Sequence, residues 1–422
     1  MIDIALLRKD PQRFKNAAQN KGTNPDTIDA VLRFDEERRE LIQKIEELRK
    51  KRNELTQQVK SSRDQYNTND LIEQVREIKK KLDDIEPRLR MVDNNLRDLA
   101  VRIPNPPLPD VKVGKNDTEN EILRTWGEPQ KFDFKPRDHL ELGEMHDIID
   151  VKRASKVSGA RFYYLKGDGA LLEWALLQFA IEILTKEGFI PVIPPVLIKK
   201  SSMKAMGYLE HGGEEDMFVL DKDGLVLVGT SEQSIGPMHM NEVFDKKELP
   251  RRYFGYSACF RREAGSYGKD TRGIIRVHQF NKVEMFSFTT PEEGDKEHEY
   301  FLSLEEKLLQ ALEIPYQVVK MCSGDLGAPA ARKYDLEAWI PTQEKYRELT
   351  STSTTTDFQS RRLHIKYRDG KMVDYVHMLN GTAFSMGRPI VAILENFQEK
   401  DGSVRIPKVL QKWMGKDRIY RP

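Results

Sequence analysis

Ten apolar residues, Leu71, Val75, Ile78, Leu82, Ile85, Leu89, Val92, Leu96, Leu99 and Ile103, recur at alternating steps of four and three. A repeat of 3.5 keeps one stripe on one side of a helix, and that stripe must pack on a partner helix. Upstream, Leu41, Ile45, Leu48, Leu55 and Val59 repeat the spacing, with Arg52 standing where an apolar residue is expected. A polar break at Arg63 to Asn69 separates the two seams. Together they predict an antiparallel coiled-coil hairpin over about 27–103, each helix ~50 Å long at 1.5 Å per residue. Pro87 predicts a kink or an opened hydrogen-bond ladder in the second helix. Residues 1–25 read as a short helix and a loop.

The hairpin carries basic clusters at Arg49 to Arg52 and Lys79 to Lys81, with Lys60 and Arg63 near its tip and glutamates interleaved. Two readings stand: a solvated coiled-coil surface, or an arm that grips a nucleic-acid backbone through phosphate contacts. Net charge is +1, from 69 Lys and Arg against 68 Asp and Glu, so the overall balance points to no partner. The run Ile103-Pro-Asn-Pro-Pro-Leu-Pro cannot continue a helix. It sets a domain boundary near 104, giving domains 1–104 and 105–422.

Beyond the boundary, Leu171 to Lys186 reads as an amphipathic helix and GFIPVIPPVLI as a strand interrupted by Pro191, Pro194 and Pro195. Proline there implies a sheet edge or an interface. Further strands are expected at Leu225 to Val228, Tyr316 to Met321, Leu363 to Tyr367 and Val373 to Met378. A small-residue loop from Asn380 should lead into a helix at Pro389 to Phe397. Short strands without regular helical alternation favour an α+β fold, an antiparallel sheet flanked by helices. No GxxxxGK[ST] or GxGxxG occurs, so a nucleotide would not sit on a P-loop.

Cys259 and Cys322 are the two cysteines, too few for a disulfide framework or a paired CxxC zinc site. The small-buried-residue reading and the nucleophile reading of each stay open. The charged N-terminus is a poor signal peptide, and no window approaches a membrane span. The expectation is a reducing cytoplasm and no zinc.

The chemistry concentrates in CFRREAGSYGKDTRGIIRVHQFNKVEMF, Cys259 to Phe286. Two strands are expected, with Gly265, Gly268, Gly273, Lys269, Arg272 and Arg276 in the loop between them. Alternation puts His278, Phe280, Lys282 and Glu284 on one face of the second strand, and Arg261 with Glu263 on one face of the first. Burying that many charges is costly without partners. Such a face suits a charged planar ligand: guanidinium for phosphate or carboxylate, an aromatic ring for stacking, carboxylates for an ammonium or an amine donor. The bland reading is a solvated hairpin with cross-strand salt bridges.

These motifs resemble those of class II aminoacyl-tRNA synthetases, and among them the seryl-tRNA synthetases of bacterial type. GFIPVIPPVLI resembles motif 1, the dimer-interface strand. The Cys259–Phe286 stretch resembles motif 2 in its seryl version. NGTAFSMGRPIVAILENFQ resembles motif 3, TSE the Thr-x-Glu loop, and ELTSTSTTTDFQSRR a further family segment. The hairpin resembles the family's tRNA-binding arm.

The resemblance implies a class II catalytic domain that activates serine with ATP to seryl-adenylate and transfers it to tRNA-Ser. It implies ATP as substrate, Mg²⁺, and a homodimer. The same arm would serve tRNA-Sec, which stays open as a second substrate. The implied catalytic residues are Arg261, Glu284 and Arg388. Arg261 would bind the α-phosphate and the serine carboxylate, with Arg262 beside it on ATP. Glu263 would read the adenine amino group, Phe280 would stack on the ring, and Val277 would contact the nucleotide. Arg276 would meet the pyrophosphate end or the acceptor strand, and Arg388 the γ-phosphate. Glu284 and Thr230, with Glu232 in the same loop, would hold the serine ammonium. Asn380 and Thr382 would read its hydroxyl, and Glu348 and Ser351 would coordinate Mg²⁺.

Two departures from the family pattern matter. Thr354 stands at a usual asparagine, which puts one ligand contact in question. Ala383 replaces a usual glycine and is expected to narrow the pocket. His278 reads either as a base or as a hydrogen-bonded structural residue, and His211-Gly212-Gly213 as a loop rather than a metal site. The competing functional readings are a non-catalytic paralogue that binds RNA or a protein, and a paralogue that charges a carrier protein.

Overall fold

The computed structural model describes residues 1–61, 65–210, 213–264 and 272–421, without the side chains of 65–67. The chain divides into two compact units, Met1–Pro106 and Pro107–Pro422.

In the first unit the opening residues form two helices, α1 (Ile4–Lys9) and α2 (Pro11–Asn20), where one helix and a loop were expected. The reason lies in capping. Asp3 accepts from Ala5 N at 2.7 Å, Asp10 accepts from Arg13 N at 3.1 Å, and Pro11 occupies the first turn where its missing N–H costs nothing. α3 (Asp26–Ser61) and α4 (Gln65–Ala100) are the hairpin. α4 begins within the expected polar break and continues through Pro87. The seam is buried as its spacing requires: Ile45, Leu55, Ile78 and Leu82 form the centre, flanked by Leu48, Leu71, Val75, Ile85 and Leu89. Ion pairs Arg38–Asp93 (2.6 Å) and Arg49–Glu86 (2.9 Å) run in opposite directions along the two helices, which fixes them antiparallel. Lys50, Lys51 and Lys79 to Lys81 are exposed. Arg63 lies outside the described residues.

The second unit is built on an eight-stranded sheet. In chain order its strands are β1 (Glu121–Trp126), β2 (Ile190–Val192), β3 (Arg251–Phe260), β4 (Gln279–Thr289), β5 (Tyr316–Lys320), β6 (Arg332–Ile340), β7 (Lys345–Thr356) and β8 (His377–Ser385). The spatial order is β1-β5-β6-β7-β8-β4-β3-β2, antiparallel throughout except at the edge, where β2 runs parallel to β3. That edge is the proline-interrupted segment, and Ile193 beside it is 89% exposed. Helices α5 (Asp168–Lys186), α6 (Gly294–Ala311) and α7 (Gly387–Asn396) join the sheet in one large apolar cluster that includes Leu176, Phe301, Leu308, Met285, Leu336 and Ile393.

Several expected boundaries move. Leu363 ends a short helix, Phe358–Leu363, and the strand there starts at Lys366. Asn380 lies in the middle of β8, not in a loop, because ladders with β4 and β7 on both sides override the weak strand preference of Asn-Gly. The threonine-rich run is central strand β7. Cys259 and Cys322 are both buried free thiols.

Candidate active site

The β3–β4 ladder ends at the pair Phe260 and Gln279. Arg261 and Glu263 therefore lie beyond the strand, and the period-two argument that put them on one strand face does not apply. A short turn orients them instead. Arg261 N donates to His278 O at 3.0 Å, and His278 Nδ1 donates to Arg261 O at 3.0 Å. His278 is thus committed to holding the Arg261 backbone. Glu263 takes a left-handed φ of 54°, unusual for a non-glycine residue, which turns its carboxylate to Arg276 Nη1 at 3.0 Å. Gly265, Gly268, Lys269, His211 and Gly212 lie outside the described residues. Arg272 pairs with Asp138 at 3.3 Å.

Two adjoining cavities open over this turn. The first is lined by Arg261, Glu263, Arg276, Val277, Phe280 and Arg388, among others. The Arg261 guanidinium sits 5.4 Å from the Phe280 ring centroid. This is a cationic, aromatic-floored space of the kind a nucleotide needs. Arg262 is not part of it. Its Nε donates to Met217 O at 2.7 Å and its guanidinium lies over Phe218 at 4.9 Å, so its side chain holds the 216–218 loop.

The second cavity, about 360 Å³, is lined by Thr230, Glu232, Glu284, Ser351, Asn380 and Thr382 with further neighbours. Arg261, Lys282, Glu348 and Thr382 line both. The Thr230 loop is pinned by Phe260 N donating to Val228 O at 2.8 Å and Arg261 Nε donating to Gly229 O at 3.2 Å. Thr382 Oγ1 donates to Glu284 Oε2 at 3.1 Å, and Asn380 Nδ2 lies 3.5 Å from Glu232 Oε1, which also accepts from the Tyr208 hydroxyl. Lys282 Nζ is 2.6 Å from Glu284 Oε2 and 3.3 Å from Thr230 Oγ1. Burial, then repulsion from Glu284, pushes the Glu232 carboxyl up to about 8 although Lys282 opposes it. Near neutral pH the pocket therefore holds Glu232 as the neutral acid.

Glu348 and Ser351 face the same cavity although they are three residues apart, an odd count that simple alternation would split between faces. A bulge explains it: Leu336 pairs with Thr350 and Glu337 with Glu348, leaving Leu349 as the extra residue. Burial raises the Glu348 carboxyl, but the Arg388 guanidinium at 3.1 Å and the Lys333 ammonium outweigh it and hold the group down at about 2. Asp335, paired with Ser351 across β6 and β7, is pushed up to about 7 by burial against the pull of Lys333 at 3.1 Å. Carboxylate and hydroxyl oxygens gathered here are hard donors, which fits Mg²⁺.

Both departures from the family pattern fall away from the cavities. Ser351, Ser353 and Thr355 line the second cavity, so Thr350, Thr352 and Thr354 take the opposite strand face, where Thr350 Oγ1 donates to Glu305 of α6 at 2.9 Å. Ala383 is the extra residue of a second bulge, between the pairs Val283–Phe384 and Glu284–Thr382. It is fully buried in the apolar cluster, so the expectation that it narrows the pocket is corrected. A Cβ on neighbouring Gly381 would meet Phe301 at 2.9 Å, which places α6 on the side of the sheet opposite the cavities.

Sequence reasoning missed Tyr208, Lys333 and Asp335, and gave Lys282 a face without a role. The first three come from segments distant in sequence and carry no local signal. Lys282 had one: a lysine two residues before a carboxylate on the ligand face.

The family model for the seryl-tRNA synthetase N-terminal domain matches residues 1–107, and that for the class II tRNA synthetase core domain (G, H, P, S and T) matches 218–397. A serine–tRNA ligase of Acidothermus cellulolyticus is 48% identical over all of both chains. One from Streptomyces coelicolor is 46% identical over 100% of this chain and 99% of its own. Among solved structures, seryl-tRNA synthetase from Pyrococcus horikoshii complexed with ATP superposes with a TM-score of 0.95 at 40% identity, covering 100% of both chains. The cytoplasmic serine–tRNA ligase of Naegleria fowleri in complex with AMP gives 0.90 at 32%, covering 100% of this chain and 99% of that one.

Proposed function

The chain belongs to the seryl-tRNA synthetases of bacterial type, within the class II aminoacyl-tRNA synthetases, and on that premise we propose how its site carries out the reaction. It is an ATP-dependent serine–tRNA ligase. Serine and ATP give seryl-adenylate and pyrophosphate, and the seryl group then passes to the 3′ end of tRNA-Ser. The observation that carries the assignment of roles is the pair of adjoining cavities that share Arg261: one cationic and aromatic, the other presenting the Glu232 and Glu284 carboxyls beside Asn380 and Thr382. A nucleotide suits the first, and an ammonium with a hydroxyl suits the second.

Adenylate formation brings a carboxylate to an α-phosphorus, so two anions meet. Arg261 stands where both cavities meet and would neutralise them there. Phe280 would stack on the adenine, with Glu263 and the Val277 backbone at its edge, and Arg276 and Arg388 would take the distal phosphates. Thr230, Glu232 and Glu284 would hold the serine ammonium. Asn380 and Thr382 would read the hydroxyl, so that alanine leaves buried polar groups unpaired. Arg262 would act on the nucleotide only through the loop it holds. Glu348 and Ser351, with Asp335 behind them, would hold Mg²⁺, which when bound supplies charge stabilisation at the phosphates. No side-chain nucleophile is needed, and positioning carries the rate.

The exposed lysines of α3 and α4 support the arm as the tRNA grip, and tRNA-Sec would be bound by the same contacts. The exposed proline-rich edge at β2 supports a homodimer. The cytoplasm is the expected compartment, and among the described residues no helix is long and apolar enough to cross a membrane. The non-catalytic reading loses ground because Arg261, Glu284 and Arg388 are all present at the cavities and the full-length relatives are ligases. A tRNA-Ser transcript charged with labelled serine tests the reading: serylation supports it, and no charging by folded protein with ATP and Mg²⁺ overturns it.

A further inference from the structure

Lys282 projects from β4 into the acidic cavity, with its side chain 8% exposed and that of Glu284 1% exposed. Its ammonium rests on Glu284 Oε2 at 2.6 Å and Thr230 Oγ1 at 3.3 Å. These are two of the three groups assigned above to the substrate ammonium, so a lysine of the protein sits where the ligand's cation should go. Glu284 Oε2 also accepts from Thr382, which leaves that oxygen little room for a second cation. Two ammonium groups on one buried carboxylate repel, and screening there is weak. Lys282 also lines the neighbouring cationic cavity with Arg261 and Arg388, so its stem reaches both spaces.

We propose that Lys282 is a displaceable counter-ion, which holds the Glu284–Thr230 subsite until the serine ammonium arrives and then turns toward the cavity where the carboxylate and the phosphates meet. The exchange is neutral in charge, so Glu284 is never left bare, an outcome that would be costly in a buried site. It also couples recognition to chemistry, because the right amine releases a cation to the reacting anions. The inference rests on the serine-activation reading above.

The test has two arms on the full chain. First, the structure of the wild-type protein with a non-hydrolysable seryl-adenylate analogue should put Lys282 Nζ more than ~4 Å from Glu284, beyond ion-pair reach. A lysine still on Glu284 in that complex overturns the proposal. Second, in serine-dependent ATP–pyrophosphate exchange, Lys282→Gln should lower kcat by ~100-fold with the serine KM unchanged or reduced. A raised serine KM with unchanged kcat would mean that the lysine only props Glu284, and would also overturn it. Should Lys282→Gln fail to fold, the wild-type complex decides alone. Wild-type protein that shows no serine-dependent exchange refutes the activation reading and takes this inference with it. Exchange with an unmoved Lys282 refutes only the inference.

Discussion

Glu232 is a carboxyl placed where it cannot easily ionise, and Glu232→Gln exposes the consequence. The residue is 4% exposed, shares its cavity with Glu284, and titrates near 8 in the folded protein against an ordinary 4.5. Between those values the folded state keeps a proton that the unfolded chain has released. Stability therefore falls as pH rises through that window, and the loss is complete only above about 8. The separation corresponds to ~5 kcal/mol once the group is fully ionised, and to ~3 kcal/mol by pH 7. Glutamine keeps the shape, can accept from Tyr208 and can donate toward Glu284, yet carries no proton to lose. Urea unfolding of wild type and variant at pH 5 and pH 8 measures the difference. The variant should gain several kcal/mol relative to wild type between the two pH values. Parallel profiles would refute the reasoning and mean that Glu232 is ionised throughout.

Replacing Phe280 with alanine removes the aromatic floor; with ~1–3 kcal/mol per stacked base, the KM for ATP in the exchange reaction should rise about tenfold or more while the serine KM stays near wild type. Chelating divalent cations should abolish exchange, and Glu348→Gln should raise the Mg²⁺ concentration needed to restore it; an unchanged Mg²⁺ titration would remove Glu348 from the metal site. Deleting 27–102 should leave serine-dependent exchange intact, because the sheet and its helices carry their own core, while serylation of tRNA collapses. Equal loss of both activities would count against a separable arm.

The hairpin was legible because a heptad repeat is local: each seam residue is determined by neighbours three and four positions away, and the structure buries that seam. The ligand-facing side of β4, with Phe280, Lys282 and Glu284, was legible for the same reason, with a period of two. Legibility failed where the backbone leaves its period. The ladder ends at Phe260, one residue before Arg261, and the left-handed turn at Glu263 follows. Bulges at Leu349 and Ala383 reset the count, so that Ser351 faces the cavity together with Glu348, and Ser385 lines a cavity together with Thr382. Nothing in ELTSTST announces a bulge, because it is set by the register with β6, the strand just before it, and not by the residues of the run itself. Asn380 read as loop by its own preference and became strand by its neighbours'. Tyr208, Lys333 and Asp335 join the site only through tertiary packing, which no window of sequence contains.

Exchange of labelled pyrophosphate into ATP, run without tRNA and with each amino acid in turn, decides whether the two cavities activate serine. Exchange with serine should run far above threonine, alanine and glycine, because the second cavity supplies both a cation subsite at Glu284 and hydroxyl partners at Asn380 and Thr382. Comparable exchange with alanine would contradict the hydroxyl-reading role, and no exchange with any amino acid, in protein shown to be folded, would contradict the assignment as a whole.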